Sequence, residues 1–184
     1  DYRSSRGLGD VYKRQISVDT ETSSLNPQEA ELIGISVSYA PNKSFYIPVG
    51  HKKNKCLSKD LVIKKMKPIL EDPSIKKVGQ NIKYDYIIFK KSGVELTSIE
   101  DTMLLSYTLD AGNNRHNMDT LSELHLGHKT ISYKDLVGTG KKQLKFSEVD
   151  LDKATEYAAE DADVTLRLYQ ICLLYTSDAA DEHS

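Results

Sequence analysis

Short segments in which apolar and polar residues alternate occupy the first third of the chain. Residues 16–18 alternate and lead directly into Asp19, and two longer alternating segments follow at residues 32–39 and 44–49. Turn residues separate the last two segments at 41–43. A period of two is typical of strands with one buried face. The pattern therefore predicts three consecutive strands joined as a meander.

The remaining two thirds of the chain alternate helical periodicity with short apolar segments. We expect further strands at residues 75–79 and 98–101. Apolar stripes and end signals predict helices, at residues 59–70, 82–91, 102–109, 120–126, 133–137 and 150 to about 170. Strands first, followed by strands alternating with helices, predict an α/β fold with a mixed five-stranded β-sheet flanked by α-helices.

Composition narrows the class of protein without indicating its chemistry. The 184 residues are 39% hydrophobic and 28% charged, as expected for one globular domain, and no apolar stretch is long enough to predict a membrane span or a membrane partner. A net charge of −2 neither supports nor excludes a nucleic-acid partner. Two cysteines do not make a disulfide framework, so we expect a cytoplasmic location.

The two ends of the chain differ in character from the rest. Residues 10–15 and 172–177 can be encoded by the two strands of one inverted DNA repeat, and they resemble a translated transposase adapter used in shotgun sequencing. We therefore expect residues 1–15 and 172–184 to be non-native tails that pack poorly. The natural domain is expected to span residues 16–171, as a fragment of a longer protein.

Candidate chemistry begins with the acids Asp19 and Glu21. They lie two residues apart at the end of the first predicted strand, so both side chains point to one face. Two like charges on one face repel unless a cation lies between them. An exposed, solvated pair at a strand end is the simpler alternative for this motif alone.

Two helical segments add further acids. Tyr157 and Asp161 are four residues apart and share one helix face, whereas Glu160 and Asp163 point away from that face. Asp85 lies near the start of another helix, where acids are common because they favour the helix dipole. Each motif alone has an ordinary structural explanation.

The combination of the three motifs favours a different explanation. Mg²⁺ prefers oxygen ligands, and two ions about 3.5–4 Å apart can activate water and stabilise the leaving oxygen of a phosphodiester. Such a site needs carboxylates that converge from several elements. Here three elements supply Asp19, Glu21, Asp85 and Asp161.

These three blocks resemble the exonuclease motifs of the proofreading 3′–5′ exonuclease domain of bacterial DNA polymerase I, a DEDD exonuclease of the Tyr-x-x-x-Asp branch. Residues 18–22 match the first motif, residues 79–85 the second and residues 157–165 the third. The resemblance covers essentially all of residues 16–171, and it implies an RNase H-like 3′–5′ exonuclease fold. It also implies DNA as substrate and a polymerase domain of the same chain as partner.

The resemblance also implies roles for individual residues. Asp19, Glu21 and Asp161 would hold the metal ion that activates water, and Asp19 and Asp85 would contact a second ion. Both ions would be Mg²⁺ or Mn²⁺. Tyr157 would orient the attacking water, and the product would be a nucleoside 5′-monophosphate.

The same resemblance implies substrate contacts, some of them outside the three motifs. Leu25 matches an apolar wedge against the terminal base, and Phe146 matches a stacking aromatic residue, although both positions also fit an ordinary core role. The remaining expected contacts to the 3′ end are Thr20, Asn81, Lys83 and Tyr84. Arg115 and Lys142 are candidates for backbone contacts, with solvated surface charge as the alternative.

Two other functions stay open at the level of sequence. One is a stand-alone exoribonuclease of the same branch, similar to ribonuclease D. The other is a catalytically silent domain that serves as a scaffold or a nucleic-acid-binding surface. All four acids and the tyrosine are present, which argues against the silent domain.

Overall fold

The five strands form one mixed sheet in the computed structural model, which describes residues 14–110, 112 and 114–181. Their order across the sheet is β3-β2-β1-β4-β5. The strands are β1 (Gln15–Thr22), β2 (Leu32–Ala40), β3 (Lys43–Pro48), β4 (Lys76–Gly79) and β5 (Ile99–Asp101). The predicted meander and the five-stranded mixed sheet are confirmed.

The strand β1 lies in the centre of the sheet and separates two kinds of pairing. It pairs antiparallel with β2 and parallel with β4, and β4 pairs parallel with β5. Parallel neighbours need a crossover connection, which the helices provide. β4 pairs with residues 15–17 of β1, whereas β2 pairs along residues 17–22, so the end of β1 extends past β4.

The helices lie close to their expected positions. In chain order they are α1 (Lys59–Leu70), α2 (Lys83–Lys91), α3 (Thr102–Leu109), α4 (Met118–Leu126), α5 (Tyr133–Val137) and α6 (Leu151–Asp181). Single 3₁₀ turns occur at Gly140–Lys142 and Phe146–Glu148. No helix among the described residues is long and apolar enough to cross a membrane.

The two faces of the sheet are covered by different helices. One core joins Val18 and Ile35 of the sheet to Val62 of α1 and Phe89 of α2. On the other face, α6 packs across β1, β2, β3 and β4. Ala154, Ala158 and Ala162 on α6 are fully buried, as expected for small residues that let a helix approach closely. The end of β1 is thus reached from both faces.

The last helix continues beyond the expected end near Gln170. It runs to Asp181, because residues 171–181 contain neither glycine nor proline to stop it. At the other terminus, Gln15 is buried and begins β1 opposite Lys76. Residues 1–13 and 182–184 of the expected tails lie outside the described residues. The boundaries of the natural domain therefore stay a prediction.

Candidate active site

The end of β1 presents alternate side chains to the two faces of the sheet. The Ser17 hydroxyl donates to the Ala162 carbonyl oxygen on α6 at 2.6 Å, which assigns this face of β1 to α6. Asp19 and Glu21 follow at intervals of two, so they share that face. Thr20 points to the opposite face, toward α2. The predicted common face of the two acids is confirmed.

Asp161 on α6 completes a group of three carboxylates with Asp19 and Glu21. One oxygen from each of the three lies within 4.8 Å of the others. Glu21 and Asp161 are buried, and Asp19 is partly buried. The neighbouring acids of α6 are used elsewhere, since Glu160 contacts His128 and Asp163 accepts from the Asn42 N–H. Glu160 and Asp163 therefore point away from the Asp161 carboxylate, as the helical spacing predicted.

Asp85 reaches the same place from α2 on the other face of the sheet. Its Oδ1 accepts hydrogen bonds from the Thr20 backbone N–H at 2.9 Å and from the Thr20 hydroxyl at 2.5 Å. Asp85 is only 3% exposed. All four acids and Tyr157 line one open cleft of about 720 Å³. The structure therefore brings the five predicted catalytic residues together.

Burial and mutual repulsion make the four acids hard to ionise. Burial raises the pKa of Asp19 to about 6. Burial, followed by repulsion from Asp19, raises the pKa values of Glu21, Asp85 and Asp161 well above their usual range. Among the described residues that line the cleft, Lys145 is the one basic side chain. The protein by itself supplies too little positive charge for these carboxylates.

One oxygen of Asp161 has an unsatisfied position. Its Oδ1 is buried and has no hydrogen-bond partner among the described residues. Buried polar atoms are rarely left unpaired, and a metal ion is a recognised explanation when carboxylates surround the atom. The oxygen-only ligand set, its burial and its excess negative charge fit a hard divalent cation such as Mg²⁺ or Mn²⁺.

Tyr157 lies one helical turn before Asp161 on α6. Burial, followed by the negative charges of Asp161 and Glu21, raises the pKa of its hydroxyl above the usual value. The hydroxyl also interacts with the Asp161 carboxylate, which opposes the upward shift of the Asp161 pKa. Tyr157 is therefore protonated at neutral pH and acts as a hydrogen-bond donor rather than a base.

Phe146 lines the floor of the cleft and also belongs to the core beneath it. It is 2% exposed, and its ring contacts those of Tyr46, His51 and Tyr157 at centroid distances of 6.3, 5.8 and 6.2 Å. A ring with so little free surface cannot stack on a base in this arrangement. The structure favours the core role of Phe146 over the expected stacking role.

Leu25 and Tyr84 lie on the rim of the cleft. Leu25 is 96% exposed, in the connection between β1 and β2. The Tyr84 hydroxyl donates to the Ser24 carbonyl oxygen at 2.5 Å and also contacts the Thr22 hydroxyl. Leu25 is thus free to meet a ligand, whereas Tyr84 supports the segment that carries it.

Asn81, which precedes α2, and Lys83, the first residue of α2, lie on two different surfaces. Asn81 lines the acidic cleft in a left-handed conformation (φ 60°), and its N–H donates to Asp101 Oδ1 at 2.9 Å. Lys83 lines a neighbouring groove with Ile99 and Leu104 instead. Residues 83 and 85 are two positions apart on α2, about 200° around the axis, so they cannot share a face. The expected contact of Lys83 with the substrate is not supported.

Some cleft residues were not singled out from the sequence. Gln80 lines the cleft, and its side-chain N–H donates to the His116 carbonyl oxygen at 2.8 Å. Its position next to Asn81 in the second motif was the available signal. Tyr133 also lines the cleft and contacts Tyr157 edge to face, but no local pattern marks it. Arg115 and Lys142 are not among the residues that line the cleft.

Comparisons with known proteins agree with this arrangement. A family model described as 3′-5′ exonuclease matches residues 8–173. DNA polymerase I from Rhizobium leguminosarum is 45% identical over 85% of this chain and 17% of the relative's length. DNA polymerase I from Pseudomonas aeruginosa is 43% identical over 84% of this chain and 18% of its own length. The chain thus spans less than a fifth of the length of these relatives.

Solved structures share the fold at lower sequence identity. NrnC from Brucella melitensis has a TM-score of 0.69 at 21% identity, covering 94% of this chain and 78% of that one. Escherichia coli RNase D, reported as an exoribonuclease involved in structured RNA processing, has a TM-score of 0.66 at 19% identity. It covers 95% of this chain and 43% of that one. The expected RNase H-like 3′–5′ exonuclease fold is confirmed.

Proposed function

We propose, from the premise that the chain belongs to the 3′–5′ exonuclease family, that its acidic cleft removes nucleoside 5′-monophosphates from the 3′ end of DNA. The observation that carries the proposal is the meeting of Asp19, Glu21, Asp85 and Asp161 in one cleft. The relatives named DNA polymerase I favour a proofreading role beside a polymerase domain in a longer chain. The expected compartment is the cytoplasm.

Four residues are proposed to hold two divalent ions. Asp19, Glu21 and Asp161 would hold one ion, and Asp19 and Asp85 would hold the second. Such ions, when bound, lower the pKa of water and neutralise charge that develops on a leaving oxygen. The unpaired Oδ1 of Asp161 and the raised pKa values of the acids support Mg²⁺ or Mn²⁺ at this place.

Side chains of the protein hold the proposed metal ligands in place and orient the attacking water through hydrogen bonds. Thr20 fixes the Asp85 carboxylate through two hydrogen bonds. Tyr157, protonated, donates to an oxygen near Asp161 and so orients the attacking water. The water oxygen bonds to phosphorus and gives up a proton to solvent, the bond from phosphorus to the 3′ oxygen breaks, and the 3′ oxygen takes a proton from solvent. The product is a nucleoside 5′-monophosphate and a strand one residue shorter.

Release of mononucleotides from single-stranded DNA tests this function. With Mg²⁺ or Mn²⁺ the parent chain should release nucleoside 5′-monophosphates stepwise, and a chelator should stop the release. Asp85→Ala should lower the rate by about a thousandfold or more, as expected when a catalytic group is lost. Exposed Glu156 on α6 lies outside the cleft residues, so Glu156→Gln is the matched control.

Three outcomes would contradict the proposal. Unchanged release in Asp85→Ala would exclude the two-ion assignment. Release from an RNA oligonucleotide of matched sequence at a higher rate than from DNA would favour the exoribonuclease alternative. The absence of any release by the parent chain with either metal would favour the silent domain.

A further inference from the structure

The connection between β1 and β2, residues 23–31, forms one rim of the acidic cleft and is called the rim loop here. It carries Leu25, whose side chain is 96% exposed beside the acids. At its neck, the Ser23 N–H donates to the Glu31 carbonyl oxygen at 3.0 Å, and the Glu31 N–H donates to the Ser23 hydroxyl at 2.9 Å. These two hydrogen bonds join the first and last residues of the rim loop, so the position of the residues between them depends on other contacts.

Lys91, at the end of α2, makes those contacts with the far part of the rim loop. Its Nζ donates to the carbonyl oxygens of Pro27, Gln28 and Ala30 at 2.8, 2.7 and 3.0 Å. An ammonium group has three N–H donors, so the rim loop accepts all the hydrogen bonds that the Lys91 side chain can donate. A cation at the end of a helix often faces the helix's own carbonyls. Here the acceptors belong to the rim loop instead.

The same helix supports the rim loop near its start. The Tyr84 hydroxyl donates to the Ser24 carbonyl oxygen at 2.5 Å. Tyr84 and Lys91 are seven residues apart, or about 10 Å along a helix that rises 1.5 Å per residue. Leu25 and Asn26 lie between these two attachment points. The helix that carries Asp85 therefore also fixes the rim loop on both sides of Leu25.

We propose that Lys91 is a positioning residue that holds Leu25 against the terminal base of the substrate. The proposal rests on the proposed function, since a base must enter the cleft for Leu25 to meet it. An almost fully exposed leucine gains most from contact with an apolar surface, and base faces are the apolar part of a nucleic acid. Holding the rim loop in advance lowers the entropic cost of that contact.

Kinetics of four chains test this role: the parent, Lys91→Met, Leu25→Ala and the double variant. Lys91→Met keeps the aliphatic stem and removes the donors. We expect Lys91→Met and Leu25→Ala each to lower kcat/KM on DNA by about five- to tenfold, mainly through KM. The double variant should be no more than about twofold worse than Leu25→Ala, because coupled residues are not additive. Lys90→Met, which removes a lysine that faces Tyr86 and Glu95, is the matched control.

Hydrogen exchange provides a measurement that needs no activity. The amides of Gln28, Glu29 and Ala30 are bonded within the rim loop, to Asn26. They should exchange at least about tenfold faster in Lys91→Met, with β1 and α2 unchanged, because local opening exposes only the loop.

Equal exchange in Lys91→Met and the parent would overturn the attachment. Fully additive kinetic losses would overturn the positioning of Leu25. A parent without any nucleotide release would overturn the proposed function, while exchange would still decide the attachment.

Discussion

Asp161 carries a buried oxygen without a hydrogen-bond partner in the described chain, within 4.8 Å of oxygens from Asp19 and Glu21. In a metal-free protein these like charges oppose folding whenever they are ionised. The residues that are proposed to bind metal should therefore lower the free energy of unfolding of the metal-free protein. This effect can be measured without any substrate.

Replacing Asp161 with asparagine should stabilise the metal-free protein and weaken its response to metal. Asparagine has nearly the same shape, lacks the charge and can donate to Asp19 or Glu21. We expect the free energy of unfolding at pH 7.5 with a chelator to rise by about 1–2 kcal/mol. Each kcal/mol corresponds to an increase of about 2–4 °C in Tm. Added Mn²⁺ should raise the Tm of the variant by less than that of the parent, because one of the two proposed ions loses a ligand. Glu156→Gln is the control, and a variant that responds to Mn²⁺ like the parent would contradict the ligand role.

The stability of the metal-free parent should fall as the pH rises. The pKa of Asp19 is raised from 3.8 to about 6 in the folded state, so its protonated form favours folding. That contribution is complete below pH 3.8 and is lost as the pH passes through about 6. The raised pKa values of Glu21, Asp85 and Asp161 extend the loss to higher pH. Urea unfolding with a chelator at pH 5 and pH 8 measures the difference, and equal stability at both values would contradict it.

Tyr157→Phe should separate orientation from metal binding. The change removes the hydroxyl and keeps the ring packed against Phe146 and Tyr133. Nucleotide release should fall by about 10- to 100-fold, because one oriented hydrogen bond is lost. The Mn²⁺-dependent rise in Tm should persist, since the four carboxylates are intact. Loss of both properties would show that Tyr157 is needed for the structure of the site.

At the scale of elements, α2 and β1 are joined by the Asp85–Thr20 pair. Thr20→Val keeps the shape of the side chain and removes the hydroxyl donor, while the backbone N–H bond remains. We expect a loss of about 1–2 kcal/mol in stability and about a tenfold drop in release, because Asp85 becomes less restrained. Thr108→Val, a change at an exposed threonine of α3, is the control. Release at the parent rate would assign Thr20 no positioning role.

Local patterns predict the elements well, but they do not predict their partners. The alternation of apolar and polar residues predicted the strands of the meander. An apolar stripe with signals at both ends predicted helix α1 at residues 59–70. Such patterns record which face of an element is buried. They do not record that β1 pairs with β4 in parallel or that Asp101 accepts hydrogen bonds from the N–H groups of Asn81, Ile82 and Met103.

Local sequence patterns also failed to predict some of the substrate contacts expected at the site. Lys83 lies inside the second motif, yet helical rotation places it in the neighbouring groove. Phe146 lies in a loop-like segment, and its burial depends on Tyr46 and His51 from a distant part of the chain. The acids were predictable because spacing sets the common face of Asp19 and Glu21, and because the resemblance of the three motifs to the exonuclease family implied that the four acids meet. Contacts formed by loops depend on tertiary packing that no short pattern records.

At the scale of the whole molecule, the charge of the chain limits the affinity that the proposed site can have for DNA. The net charge is −2, and Lys145 is the one basic residue among those that line the described cleft. Single-stranded binding weakens with salt by a slope of about −0.7 per phosphate contacted. We expect log(1/KM) for release to fall against log[KCl] with a slope no steeper than about −2 at fixed Mg²⁺. A slope near −5 would reveal a basic surface outside the cleft.

The central position of β1 has a consequence for the order of events during folding. The contact from β1 to α2 spans 65 positions of the chain, and the contact from β1 to α6 spans 145. Contacts between distant segments form late, because closing long loops costs entropy before the contacts compensate for it. During refolding, helical circular dichroism should recover before nucleotide release. A newly made chain would therefore lack the proposed nuclease activity until α6 has joined the sheet.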